Sequence, residues 1–139
     1  MNLVESLLKA DAKLADEFET GIFKSKRLGK IIGEKVADVE IKEIPSRRIT
    51  DIGSYAIDSK GEFDASRAFD MKLMVCVEGV TNPSLKDKDL QEHFGCKSAK
   101  ELAEKLFGSE VTELSDKISM LSGIVSAEEE SDREAEIKN

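Results

Sequence analysis

The side chains able to do chemistry in this chain are few. His93 is its one histidine, and Cys76 and Cys96 are its two cysteines, so these three make up the whole soft ligand set for a transition metal. Zinc sites draw on Cys and His in closely spaced pairs. Here there is no Cys-x-x-Cys, and a fourth ligand would have to be an acid. His93 has a simpler reading, in the last turn of a helix, where an imidazolium would meet the negative end of the macrodipole. Gly21 and Gly29-Lys30 are too far apart for a phosphate loop, and Ile31 follows the lysine where that loop needs Ser or Thr. A hydrolase triad would need His93 together with a G-x-S-x-G elbow, which is missing, and no catalytic carboxylate stands out among 29 acids. The expectation is a protein without catalysis, cofactor or metal.

Net charge of −8 argues against nucleic acid as a partner, because displacing condensed counterions needs clustered Lys and Arg. Lys24, Lys26, Arg27, Lys30, Lys35, Arg47 and Arg48 do make the region before residue 50 locally basic, which reads as a solvated face or as a contact for an acidic partner. No apolar run approaches a membrane span, and the N-terminus lacks the order of a signal peptide, so a cytoplasmic location is expected. The two cysteines read as reduced thiols.

The elements that would position these residues are clearest from Asn82 to Gly123, where three short amphipathic helices each have a serine before and a glycine after. Ser84 would cap a helix over 85–94 that stops at Gly95; Ser98 caps 99–107 with Glu101 at the capping-box position and Gly108 beyond. Ser109 opens 110–122, whose Val111, Leu114, Ile118 and Leu121 form one stripe ending at Gly123. That stripe is either core or, if the preceding helices already fill the core, a partner-binding surface for another amphipathic helix.

Upstream, Leu3, Val4, Leu7, Leu8, Leu14, Ala15 and Phe18 share a helical face that needs a partner surface. Strand-like alternation follows in 22–27 and 36–44, and Leu28–Lys35, with Gly29 and Gly33 as turn residues, would close an antiparallel hairpin over about 22–44. Pro45 suits the start of a helix over 45–57, and Ser66 can cap one over 66–78 that is apolar nearly all round. Such a helix belongs at the centre of a small fold, although Leu73–Val77 could also make a buried strand. Met71 and Met74 read as core, with an adaptable contact surface as the alternative.

Several of these segments resemble one family. Asn82-Pro83-Ser84-Leu85, Leu90-Gln91-Glu92-His93-Phe94, the Ala99–Leu106 helix, Leu7-Leu8-Lys9-Ala10-Asp11 with Leu14, and Lys26-Arg27-Leu28-Gly29-Lys30-Ile31-Ile32-Gly33-Glu34 are similar to the XkdN-like phage tail assembly chaperones. The resemblance spans most of Met1 to Gly123, and residues 124–139 contribute nothing to it. It implies a non-catalytic protein of the bacterial host cytoplasm that binds the tape measure protein, and with it other tail proteins, and keeps it soluble while the tail assembles. A structural component of the tail or baseplate, retained in the particle, is the alternative.

The fold expected is α+β: a mainly helical single domain over 1–125 with one antiparallel β-hairpin, followed by an acidic disordered tail over 126–139. That tail holds six acids against Arg133 and Lys138, a net of −4, and Ile137 is its one large apolar residue, too little to offset the ordering of its backbone.

Overall fold

Asn2 accepts hydrogen bonds from the Val4 and Glu5 N–H groups and starts α1 (Leu3–Lys9) in this computed structural model, which describes residues 2–124. The acidic tail expected over 126–139 lies outside the described residues. The single amphipathic face expected from Leu3 to Phe18 is broken in two. Ala10 is extended, and the Asp11 side chain accepts from Lys13 N–H to cap a separate 3₁₀ turn, Ala12–Asp16, a local bond that competes with helix continuation. No residue of α1 or of this turn is buried.

The hairpin strands are β1 (Thr20–Ser25) and β2 (Ala37–Lys42), antiparallel with Phe23 opposite Val39 and Ser25 opposite Ala37. Alternation sets their faces: Phe23, Ser25, Ala37, Val39 and Ile41 are buried, while Lys24, Asp38 and Glu40 are exposed. Their connection is no simple turn. It is a helix, α2 (Lys26–Ile32), capped by Ser25, whose hydroxyl accepts from Leu28 N–H, and stopped by Gly33 at φ 80°. Gly29 is therefore not a turn residue. It sits within α2 against the chain entering β2, and a Cβ there would lie 2.6 Å from Val36 Cα.

After α3 (Ser46–Ser54), a 3₁₀ turn at Ala65–Arg67 leads into α4 (Ala68–Gly79). The cap of that turn is Asp64, not Ser66; the hydroxyl and then the backbone N–H of Ser66 hold the Asp64 carboxyl below its ordinary range. Leu73–Val77 is helical, and α4 is central, packing against α3, α6 and α7. Where α4 ends, Gly79 lets the backbone meet Ile118; a Cβ would collide with that side chain. The chain then adds a strand that the sequence reading lacks: β3 (Val80–Asn82) pairs antiparallel with β2, giving a three-stranded sheet in the order β1-β2-β3.

Asp87, rather than Ser84, caps α5 (Lys88–His93), because Asp87 N–H first closes a turn onto Ser84 O and buries Leu85. The next helix, α6 (Ala99–Phe107), has the expected bounds: Ser98 Oγ accepts from Glu101 N–H, and the Glu101 carboxylate reaches back to Lys97 N–H at 2.7 Å. Ser109 falls in a 3₁₀ turn, Gly108–Glu110, that leads directly into α7 (Val111–Leu121) without a side-chain cap. Lys117 on α7 donates to Ile22 O on the edge strand β1 at 2.6 Å. The core lies between the sheet and α4, α6 and α7. Among the described residues, no helix is long and apolar enough to cross a membrane.

Candidate functional site

Three of the four residues singled out as a partner surface are interior. Val111, Leu114 and Ile118 are fully buried between α7, α4 and the sheet, and Leu121 is partly buried beside Gly21. A side chain with no exposed area offers nothing to a partner in this conformation, so the stripe is core. Met71 and Met74 pack against the same core.

The two thiols are unpaired and differently placed. Cys76 is buried, its Sγ 3.8 Å from Val111 O, and desolvation pushes its pKa from 9.0 up to about 12. Cys96 is half-buried, its Sγ 3.7 Å from Phe94 O. Among the described residues, no group of three His, Cys, Asp or Glu side chains is placed to hold a metal ion.

His93 instead helps line an apolar groove of about 410 Å³ between α2, α5 and α6. Leu28, Ile31 and Ile32 form one wall, Leu90, His93 and Phe94 the other, with Leu106 and Pro83 completing it. Ile31 is 45% and Ile32 60% exposed, so the groove opens to solvent. Hydrogen bonds outside the groove hold its helices in place. Arg27 on α2 donates to Lys105 O on α6 at 3.0 Å, and the Lys105 ammonium donates to Phe94 O at 2.8 Å, tying the three helices together. Buried Gln91 donates to Leu85 O, fixing α5 to the turn before it. The His93 and Phe94 rings meet edge to face at 5.0 Å. A concave, apolar surface can take up an apolar side-chain row; its lining holds no arrangement of nucleophile, base and oxyanion donor.

A second unpartnered surface is the N-terminal arm. Leu3, Val4, Leu7 and Leu8 are each at least 64% exposed, with Leu8 at 80%. A helix of seven residues is marginal by itself in water, so an exposed apolar face of this kind calls for a partner surface.

Residues 4–138 match the family model of the phage XkdN-like tail assembly chaperone proteins. This chain belongs to the XkdN-like tail assembly chaperone family. The match extends well past Gly123, which corrects the expectation that residues 124–139 lie outside the family pattern. The crystal structure of the protein YqbN is similar over 78% of this chain and 89% of that one, with a TM-score of 0.55 and 20% identity, a likeness of fold. No curated protein matches the chain. Within this XkdN-like chaperone, the segments that carry the family resemblance come together in space: Leu28, Ile31 and Ile32 from one, Pro83 from a second, and Leu90, His93 and Phe94 from a third all line the groove.

Ile31 and Ile32 are groove residues that the sequence places in a hairpin turn rather than on a surface. The signal was present: Ser25 before and Gly33 after Lys26–Ile32 repeat the serine and glycine punctuation seen after Asn82.

Proposed function

We propose that this chain acts without catalysis in the cytoplasm of the phage-bearing bacterial cell, binding the tape measure protein and keeping it soluble during tail assembly. The observation that carries this reading is the open apolar groove between α2 and α5, built from the segments that mark the family. A long helical protein with an apolar stripe self-associates through that stripe; seating successive turns of it in such grooves removes the exposed surface. Ile31, Ile32 and Phe94 would contact the stripe.

The test is co-expression with the tape measure protein of the same locus. The wild-type chain should yield a soluble complex on gel filtration, and Ile32→Asp, once circular dichroism has established that it folds, should leave the tape measure protein insoluble. Absence of a complex when both proteins are folded would overturn the proposal, as would equal performance by the variant. Mass spectrometry of purified particles should lack the chain; a stoichiometric amount would mark a structural tail component instead.

A further inference from the structure

We infer that Lys117 closes the free edge of β1 against the addition of another strand, and that the strand it keeps out is β1 of a second copy. The groove between α2 and α5 has no part in this.

In the order β1-β2-β3, β1 is paired on one side only. Glu43 N–H donates to Glu19 O at 2.8 Å, which makes Glu19 and Glu43 a hydrogen-bonded pair just before the strand. By the alternation of antiparallel ladders, Gly21, Phe23 and Ser25 then turn their backbone groups to β2, and Thr20, Ile22 and Lys24 turn theirs outward. A row of open N–H and C=O groups is a template for another strand. The elements in close contact with β1 are β2 and α7, and α7 packs on the core side of the sheet.

Lys117 reaches from α7 to the middle of that row. Ile118 beside it is fully buried and Leu121 lies next to Gly21, so the helix that carries Lys117 is fixed against the strand. Its ammonium donates to Ile22 O at 2.6 Å, and it forms no ion pair among the described residues that would hold it elsewhere.

A second β1 fits the open edge. Two such edges can meet antiparallel about a two-fold axis at Ile22, so that Ile22 faces its counterpart and Thr20 faces Lys24, with no like charges opposed along the strands. Ile22 is 41% exposed, which leaves its side chain available for that contact. In this register each Ile22 N–H must donate to the Ile22 carbonyl of the other copy. Lys117 already stands at that acceptor, and pairing would bring two ammonium groups to the axis, where like charges repel.

Lys117→Met keeps the length of the side chain without its donor or charge. In light scattering of the full chain it should self-associate at least about tenfold more tightly than wild type, since opposed like charges cost an interface more than that. Lys117→Arg, which keeps charge and donor, should match wild type. Because Ile22 N–H faces away from β2, Ile22→Pro removes a donor from the open edge without breaking a bond of the hairpin. Combined with Lys117→Met, it should return self-association to the wild-type value. By hydrogen exchange, the Ile22 amide should be unprotected in dilute wild type and become protected in Lys117→Met as that variant associates. Folded Lys117→Met that associates no more than wild type would overturn the inference. So would Lys117→Arg associating as tightly as Lys117→Met, association that survives Ile22→Pro, or an Ile22 amide protected in dilute wild type.

Discussion

The Ser25 hydroxyl donates to Glu110 Oε1 at 2.6 Å, joining residues 85 positions apart in sequence. The other oxygen of the same carboxylate accepts from Lys26 N–H at 3.1 Å, so a residue before α7 supplies the partner for the first turn of α2. Ser25 is fully buried. Glu110→Ala leaves its hydroxyl short of a partner, and urea denaturation should show a loss of about 1–3 kcal/mol. A double-mutant cycle with Ser25→Ala should show coupling; additive losses would mean that the bond contributes nothing specific.

Alanine in place of a helical glycine ordinarily stabilises by roughly 1 kcal/mol. At Gly79 the sign should reverse, because the added Cβ collides with Ile118. A destabilisation of about 1–3 kcal/mol is expected, partly relieved when Ile118→Val is combined with Gly79→Ala. A raised urea midpoint for Gly79→Ala alone would show that α4 and α7 are less closely packed than described.

Cys76 and Cys96 should separate kinetically. With a chromogenic disulfide reagent at neutral pH, Cys96 reacts and Cys76, buried with its pKa pushed up to about 12, does not until denaturant is added. The same shift links stability to pH. The unfolded chain loses the Cys76 proton near 9.0 and the folded chain near about 12, so stability from this group is complete below 9 and falls as pH rises through that window. Cys76→Ser should flatten that part of the profile relative to wild type, and an unchanged profile would refute the linkage.

Removal of residues 2–10 should leave the unfolding free energy from urea denaturation within about 0.5 kcal/mol of wild type, since α1 buries nothing. A large loss would place the arm against the body in solution.

Legibility in the sequence followed how local the determining interactions are. Helix α6 had its bounds written by Ser98, Glu101 and Gly108, all within one turn of its ends, and the core residues Leu102 and Leu106 followed from spacing. Before α4 and α5, Ser66 and Ser84 compete with the nearby Asp64 and Asp87, and Asp64 caps the 3₁₀ turn ahead of α4 while Asp87 caps α5; which side chain wins depends on how the preceding turn closes. Strand β3 has three residues and exists because β2 offers it an edge, which no local pattern encodes. The stripe from Val111 to Leu121 is one face, as its spacing requires, but periodicity says which residues share a face and not what that face meets. For the groove, Leu90 and Phe94 were visible as family signature, while Ile31 and Ile32 were hidden by reading a seven-residue helix as a hairpin turn.

The hydrogen bond from Lys117 to the Ile22 carbonyl spans 95 positions, and Ile118 beside it is among the fully buried core residues. During synthesis the ribosome therefore releases β1 and β2 long before the helix that covers them. A nascent chain ending short of Val111 lacks the helix that packs on β1 and β2, so Phe23, Val39 and Ile41 stay only partly covered, and the core closes only once α7 has emerged.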